Sequence, residues 1–573
     1  MLILLTIFLF IFASFAMLIL HLVRPRFSIQ GFLAVLALLV GIVLISISQA
    51  DIPTSITVLT WEPESLFPFS PSLLIDDISW FFAFGLTALS FCVLITSIAN
   101  LGRSTKHDQP AAQNIVTVQE DTSSADKTHA NNSDLAESTD QMPNWILWIV
   151  ILIFTSMGLV AVTAGNLLTL MLAWAALDML QLVTLLSQTP SSQVRERMLI
   201  NFSARMVALV LLIIAALMQL AGGAGLSFEN LPPSVSLLLI FAAGLRLGVL
   251  PPLLPFSYQI AIRHELETVL QLIPSAASLI LLVRVASTGI PQDILPYILG
   301  FTIVVGLYAS NKWLTQPDAA AGRNYWLLGI SSLALSAAML AQPSASLAWA
   351  IACLLSGGLV FCLDIRHRNL TPLLILGLFN ISILPFSPTW QAASMYQAIG
   401  ASNTGLVLTI IFSSFLILIQ SLIFAGYFRH SWRGVYPNEE SKAIHIEKWV
   451  WVLYPFGLML ILTTHLLIGW LILPDLRNLP LFSWFIGPLT LLVSATILFL
   501  LKRIRIPSRI VSNRLKSSNW NKLFSLEWLY LLIWQIYHAF SRVFGLVSTI
   551  LEGDGGLLWA LVLFALIFVF LQK

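Results

Sequence analysis

The sequence predicts an all-α integral membrane protein with about 16 transmembrane helices, and two observations lead to this fold class. The first is composition. Of the 573 residues, 58% are hydrophobic and only 10% are charged, so a soluble protein of this length could not cover its surface with polar groups. The second is pattern, because apolar runs of about 20 residues, the length that crosses a bilayer, recur from end to end.

The apolar runs locate the individual helices. The run at 2–23 lacks a basic amino-terminal region and a cleavage site of small residues, so we interpret it as a retained helix rather than a signal peptide. The predicted spans lie at 2–23, 30–49, 78–99, 145–163, 166–187, 198–221, 235–250, 268–286, 294–311, 325–341, 346–363, 371–388, 402–427, 449–473, 481–501 and 556–571. The first three make up an amino-terminal block, residues 1–102.

Basic residues alternate between successive loops, and this alternation predicts the orientation of the chain. With the amino terminus outside, the outer loops are poor in Lys and Arg. The inner loops then carry Arg24, Arg26, Arg103, Lys106, Arg195, Arg197, Arg263, Lys312, Arg323, Arg366, Arg368, Arg429, Arg433, Lys502, Arg503, Arg505 and Arg509. Because cytoplasmic loops are enriched in Lys and Arg, we expect a multi-pass protein of the cell inner (plasma) membrane with both termini outside.

Two polar segments interrupt the series of spans. Residues 103–143 are rich in Ser, Thr, Asp, Asn and Gln, which predicts a disordered cytoplasmic loop. Residues 503–555 begin with basic side chains, and between 523 and 548 apolar side chains recur near helical spacing. This pattern predicts an amphipathic helix on the membrane surface or along the flank of the protein, followed by the last span.

Prolines interrupt two of the apolar segments. The stretch GLRLGVLPPLLPF contains Pro251, Pro252 and Pro255, and the stretch ISILPFSPTW contains Pro385 and Pro388. Broken helices at corresponding positions of two halves are typical of inverted-repeat transporters, because the freed backbone groups must be buried in protein or line a wet cavity. Alternatively, the prolines mark loops just beyond helix ends, and the spacing alone favours neither interpretation.

Four stretches carry a resemblance to a known family. LLIDDISWFFAFGL resembles the family's "LDGLS" segment at the start of its third helix, and GNLLTLMLAWAALDMLQLVTLL resembles its "NLLLLFxFWELMSL" helix. Residues 244–261 stand where the family has "KxPxxPxHxWLPxA", and SILPFSPTW resembles "GLPPxxGF". The chain thus resembles a divergent antiporter-like membrane subunit of respiratory complex I (NADH:quinone oxidoreductase), related to the Mrp antiporters and to the membrane arms of group 4 hydrogenases.

The resemblance implies a fold of two inverted five-helix repeats, each with one broken helix. They correspond to residues 144–286 and 294–427, followed by additional spans at 449–501. Residues 503–573, with the amphipathic lateral helix and the last transmembrane helix, are similar to the carboxyl-terminal part of the longer members. In the family, buried charges form a proton path across the middle of the membrane.

The resemblance also shows which of those charges this chain keeps. The family's Glu of the fifth helix is replaced by Ala175, and the nearest acid is Asp178, on roughly the same helix face. The Lys of the first broken helix falls on Arg246, and that of the eighth helix falls near Ala276, whereas Arg284 matches a common family arginine. The second repeat has Ser356, Val360 and Ala393 where the family has ionisable residues.

The candidate proton or ion path therefore consists of Asp178, Arg205, Arg246 and Arg284. Charges inside a membrane are costly and usually face a partner, so Asp178 is expected to pair with Arg205 or Arg246. Such a pair is either a structural salt bridge or the remnant of an ion site, and Arg246 either faces the interior or extends to the membrane surface. His465 is expected to be a hydrogen-bonded helix histidine rather than a proton relay.

No motif indicates catalysis within this chain. We find no nucleophile with a base, no metal-ligand spacing and no cofactor motif, and the net charge of +2 argues against a nucleic-acid partner. The expected partners are the lipid bilayer and other membrane subunits. The resemblance implies a non-catalytic membrane-arm subunit of a complex-I-like assembly, associated with proton or cation translocation. The alternatives are a non-transporting structural paralogue, a stand-alone cation/proton antiporter and the membrane module of an inorganic-carbon uptake system.

Overall fold

The computed structural model describes most of the chain up to residue 504. The described residues are 1–23, 27–57, 70–101, 103–105, 143–188, 192–223, 225–228, 231–251, 263–363, 365, 367–401, 405–432, 444–446, 448–472 and 481–504, with 535 and 542. The chain divides into two compact units, Met1–Arg505 and Ile506–Lys573, and the account below concerns the first. The predicted cytoplasmic loop beyond residue 105 and the predicted last span lie outside the described residues, as does the predicted amphipathic helix apart from the two isolated residues.

Helices dominate the described part of the chain. The elements are α1 (Leu2–Val23), α2 (Phe27–Ser48), β1 (Thr54–Thr57), β2 (Ser72–Ile75), α3 (Asp77–Leu101), β3 (Arg103–Thr105), α4 (Asn144–Val162), α5 (Leu167–Ser187), α6 (Ser192–Ala221), α7 (Pro233–Arg246), α8 (His264–Val285), α9 (Leu295–Thr315), α10 (Ala319–Met339), α11 (Pro343–Phe361), α12 (Thr371–Asn380), α13 (Ser394–Ala401), α14 (Leu406–Trp432), β4 (Ile444–Ile446), α15 (Val450–Leu471) and α16 (Leu481–Ile504).

The predicted all-α membrane fold is confirmed. Among the described residues, 11 helices are long and apolar enough to cross a membrane, so the chain is a multi-pass membrane protein. Each of the first fifteen predicted spans corresponds to one of the helices above. The short α13 was not predicted as a separate helix, because it lies in the interval between the twelfth and thirteenth predicted spans.

Three helices form the centre of the bundle. In the apolar stretches of α3, α8 and α11, 94% of the residues are buried, against 22% in α16. Helix α3 packs against α2, α4, α8, α11 and α15, and α11 packs against α8, α10 and α15. The central helices carry buried hydroxyl side chains such as Thr87 and Ser90, which donate to carbonyl oxygens one turn earlier on their own helix. Small polar residues of this kind let neighbouring helices approach closely in a membrane.

The four short strands were not predicted from the sequence. Strand β1 pairs antiparallel with β2, and β3 pairs antiparallel with β4. Strand β3 occupies the first three residues of the segment predicted to be disordered, so the prediction fails there. The reason is a partner 343 residues away in the sequence: Arg103 lies opposite Ile446, and a local composition argument does not detect such a distant pairing.

The helix that precedes the first group of prolines, α7, is short. Helix α7 has 14 residues and therefore a length of about 21 Å, less than the roughly 30 Å of the hydrocarbon core. It ends at Arg246, and a turn over residues 247–251 leads to Pro251. Pro252 and Pro255 lie outside the described residues. The helical backbone thus stops at Arg246, short of the length that a complete span requires.

The second proline-containing segment is a broken helix, and the structure describes the backbone before and after its prolines. Helix α12 has only 10 residues, and irregular backbone follows at 381–389, where Pro385 and Pro388 lie. A short 3-10 turn, Trp390–Ala393, then leads into α13. Ile383 and Phe386 have positive φ angles of 50° and 66°, which non-glycine residues seldom adopt. We call residues 381–393 the second break.

Side chains satisfy the backbone of the second break. The Thr389 hydroxyl donates to the carbonyl of Asn380 over 3.1 Å and accepts from the amide of Ile383 over 3.1 Å. Trp390 Nε1 donates to the carbonyl of Ser483 on α16 over 3.1 Å. Gln391 Nε2 donates to the carbonyl of Ile472, just after α15, over 2.9 Å. Irregular backbone at membrane depth requires such internal partners, because the hydrocarbon core offers none.

Two glycines allow α15 and α16 to contact the second break. A Cβ atom on Gly469 of α15 would overlap Pro388, and one on Gly487 of α16 would overlap the carbonyl oxygen of Ile383 and lie 2.9 Å from its carbonyl carbon. Helices outside the two predicted repeats therefore hold the broken helix in place.

We predict that Gly487→Ala destabilises the protein, because the methyl group meets fixed backbone rather than a movable side chain. Overpacking of this kind costs about 1–3 kcal/mol, and the loss should appear as a lower Tm of the detergent-purified protein followed by tryptophan fluorescence. Gly85→Ala on α3 is the matched control, since its new Cβ would lie 3.7 Å from the nearest Leu355 methyl carbon, an ordinary contact. Equal Tm values for the two variants would contradict the close approach of α16.

Candidate functional site

Asp178 is a carboxylate buried in the middle of α5. The helix begins at Leu167 after the cap residue Asn166, whose side-chain oxygen accepts from the amide of Thr169 over 2.8 Å. Asp178 lies 11 residues further on, about 16 Å along the helix axis. Its side chain is 0% exposed. A charge at this depth needs partners from neighbouring helices.

Arg246 is the first of these partners. It is the last residue of α7, so the end of the short helix places its guanidinium beside α5. One terminal nitrogen forms an ion pair with Asp178 Oδ2, and Nε donates to Ser278 Oγ of α8 over 3.2 Å. The guanidinium carbon lies 4.3 Å from the ring centroid of Trp174, a cation–π contact. The Arg246 side chain is 2% exposed and therefore faces the interior rather than the membrane surface.

Arg205 of α6 is the second partner. Its Nη1 lies 3.2 Å from Asp178 Oδ1 and also donates to the side-chain oxygen of Gln181, one turn further along α5. Its side chain is 15% exposed, more than that of Arg246. One carboxylate therefore faces two guanidinium groups, and the cluster of Asp178, Arg205 and Arg246 joins α5, α6 and α7. We call it the Asp178 cluster.

Two of the three charged groups in the Asp178 cluster are guanidinium groups. A guanidinium is planar and carries only donors, so it suits a carboxylate. Trp174 is itself oriented by its Nε1, which donates to the carbonyl of Ala277 over 3.2 Å. The arrangement joins α5 to α6, α7 and α8 through charged and polar side chains.

Arg284, the fourth predicted residue, lies in a separate site. It is near the end of α8, where a terminal nitrogen donates to Ser79 Oγ over 2.7 Å and lies 3.4 Å from Asp76 Oδ1. Its guanidinium carbon is 5.0 Å from the ring centroid of Phe228. Asp76 also accepts from the amide of Ser79 over 2.8 Å at the start of α3. The four sequence candidates thus divide into one cluster of three and one separate ion pair.

A further ion pair was missed by the sequence analysis. Arg323, predicted to lie in an inner loop, is buried on α10 with its Nη1 2.6 Å from Glu267 Oε2. Gln271 Nε2 donates to Glu267 Oε1 over 3.3 Å, one turn along α8. Beside this pair, Glu265 accepts from Asn100 of α3 over 2.6 Å. The sequence contained one indication of this pair: Glu265 and Glu267 lie in the first turn of α8, which is otherwise mostly apolar.

The helices on either side of the second break, and α11 before them, carry no charged side chain. Helices α11, α12 and α13 contain no Asp, Glu, Lys or Arg. Ser356 of α11 hydrogen-bonds Nδ1 of His465 on α15 over 3.3 Å, and both residues are buried. Among the described residues, no three His, Cys, Asp or Glu side chains are grouped to hold a metal ion.

We predict that Asp178→Asn strongly destabilises the protein, because it leaves two guanidinium groups in the interior without a negative charge. Removing one partner of a buried ion pair costs about 3–5 kcal/mol, which Tm measurements in detergent would detect. Arg205→Gln should cost less, since the pair of Asp178 and Arg246 remains.

Asp318→Asn serves as the control, because Asp318 is exposed before α10 and its side chain makes no cap hydrogen bond. If Asp178→Asn lowered Tm no more than this control does, the cluster would not contribute to helix packing.

Three solved structures share the fold of this chain. It is similar to a chain in the Mrp complex from Dietzia sp. DQ12-45-1b, with a TM-score of 0.66 and 12% identity, covering 100% of this chain and 63% of that one. A chain of the membrane-bound sulfane sulfur reductase, an archaeal respiratory membrane complex, matches with a TM-score of 0.60 and 11% identity over 98% and 99% of the two chains. A chain of respiratory complex I from Thermus thermophilus with bound aureothin matches with a TM-score of 0.52 and 17% identity over 82% and 98%.

These similarities concern structure rather than sequence. No family model matches the chain, and no curated protein matches it. The chain spans 63% of the length of the Mrp-complex chain. At 11–17% identity the similarity shows the fold alone. The fold expected from the sequence resemblance, that of an antiporter-like membrane subunit, is confirmed.

Proposed function

We propose that this chain is a non-catalytic membrane-arm subunit of a multi-subunit, complex-I-like assembly, associated with cation translocation but without a complete proton path of its own. The observation that carries the proposal is the Asp178 cluster. An antiporter-type bundle keeps a charge cluster beside its first short helix, yet two of the three charged groups are arginines. Such a cluster supports a role in assembly and local electrostatics more than a role in proton exchange.

The second half supports the same proposal. A proton path needs titratable groups within reach of one another, and α11–α13 supply none of the acidic or basic kind. The second break is held by α15 and α16 through backbone contacts at Gly469 and Gly487. Because the second break is packed this closely, a fixed structural role is favoured over a segment that moves during transport.

The partners proposed here are further membrane subunits. The three similar structures are all chains of complexes according to their descriptions, and one of these is described as an archaeal respiratory membrane complex. The outer helices α1, α2, α6, α14 and α16 present broad apolar faces that fit either lipid or neighbouring membrane helices. We further propose that both termini lie outside the plasma membrane, as the distribution of Lys and Arg favours.

We predict that the chain co-purifies with other membrane subunits. The test is gentle-detergent purification of a tagged chain, expressed from its own locus, followed by native electrophoresis and quantitative mass spectrometry against an untagged strain. Stoichiometric recovery of membrane subunits together with soluble redox subunits is the expected result. A chain that migrates alone at its native expression level would refute the proposal.

We also predict that the purified chain, reconstituted alone in liposomes, does not exchange Na⁺ or K⁺ for protons. The readout is a pH-sensitive dye inside vesicles under an imposed cation gradient, with protein-free vesicles as the baseline. The physical reason is the lack of acidic and basic groups along α11–α13. Exchange above baseline that disappears in Asp178→Asn would instead identify a self-contained antiporter.

A further inference from the structure

The charges of the Asp178 cluster do not balance. Two guanidinium groups meet one carboxylate, which leaves an excess of one positive charge in the interior of the bundle. Among the described residues, the other acids near these helices have their own partners. The buried Glu265 accepts from Asn100, Glu267 pairs with Arg323, and the partly exposed Asp76 pairs with Arg284. An uncompensated charge in this environment is expensive, so a further negative group is expected nearby.

Arg246 shows where that group would bind. Its Nη1 contacts Asp178, its Nε contacts Ser278, and its flat face contacts Trp174. The remaining nitrogen, Nη2, is buried and makes no hydrogen bond to any described residue. Buried guanidinium donors are normally satisfied, because an unpaired donor loses its hydration without compensation. The two Nη2 protons of a side chain that is 2% exposed therefore require an acceptor.

Arg205 is the more exposed of the two arginines. Its side chain is 15% exposed, and its described partners, Asp178 and Gln181, both contact Nη1. The cluster thus combines one guanidinium that is almost fully buried with a second that is partly exposed. Because the Arg246 side chain is only 2% exposed, the acceptor for its Nη2 has to be small.

We infer that the Asp178 cluster binds one small monovalent anion, chloride or bicarbonate, against Nη2 of Arg246 and beside Arg205. The cluster has a net charge of one positive unit, so one monovalent anion makes it neutral. A divalent anion would leave it with one negative unit. The inference does not depend on the proposed function, since a charge excess in the interior needs compensation whether or not the chain belongs to a larger assembly.

The test is the thermal stability of the full chain in detergent at constant ionic strength. Sodium gluconate is replaced stepwise by sodium chloride, and in a second series by sodium bicarbonate. A ligand that binds the folded state raises Tm, here by about 2–4 °C between 1 and 100 mM of the preferred anion. The anion that raises Tm at the lower concentration, chloride or bicarbonate, is the preferred ligand of the cluster.

Charge-neutralising variants distinguish a specific site from a general salt effect. Arg246→Gln and Arg205→Gln each leave Asp178 with a single arginine, so the cluster becomes neutral and the anion response should disappear. Arg284→Gln is the matched control: it removes an arginine that is paired with Asp76 rather than with Asp178, and it should keep the full anion response despite any loss of basal stability.

Binding of radioactive chloride to the wild-type chain by equilibrium dialysis provides a measurement that does not require a stable variant. One site per chain, competed by unlabelled chloride or bicarbonate but not by gluconate, is expected. Three results would overturn the inference: a Tm that follows ionic strength irrespective of the anion, an unchanged response in both cluster variants, or the absence of saturable chloride and bicarbonate binding.

Discussion

Polar groups within a bilayer must find their partners inside the protein, and this constraint accounts for most of the features described above. The constraint explains the second break, where Thr389 and Gln391 and the indole of Trp390 replace the hydrogen bonds that a regular helix would have made. It also explains why α15 and α16 carry glycine at the points of contact. The irregular backbone can exist at this depth only because the surrounding helices enclose it.

The same constraint acts on charge. Asp178 is tolerated in α5 because α6 and α7 each supply a guanidinium, and Arg246 reaches it because α7 ends after 14 residues. The early end of α7 thus places the Arg246 guanidinium in the interior beside α5. The two halves of the bundle therefore differ. The first carries the Asp178 cluster, and the second carries a broken helix with no Asp, Glu, Lys or Arg in α11–α13.

Much of this fold could be predicted from the sequence, because long apolar runs have few structural solutions in a membrane. The sequence analysis expected Asp178 to pair with Arg205 or Arg246, and the carboxylate contacts both. Charges in neighbouring apolar helices pair because the membrane interior offers them few other partners. The separate position of Arg284 and the burial of Arg323 were not foreseen. Both depend on which helix ends lie side by side, and the local sequence does not encode that. Strand β3 was missed for the same reason, since its partner comes from a distant segment.

The Asp178 cluster also has a consequence for the biogenesis of the protein. A charged residue near the centre of a helix raises the cost of insertion into the bilayer by about 2.5–3.5 kcal/mol. Helices α5 and α6 follow each other directly in the chain, and Asp178 and Arg205 offset each other once both helices are present. These two helices therefore enter the membrane more favourably as a hairpin than one after the other. Arg246 joins them when α7 emerges, so the order of synthesis matches the order in which the charges are compensated.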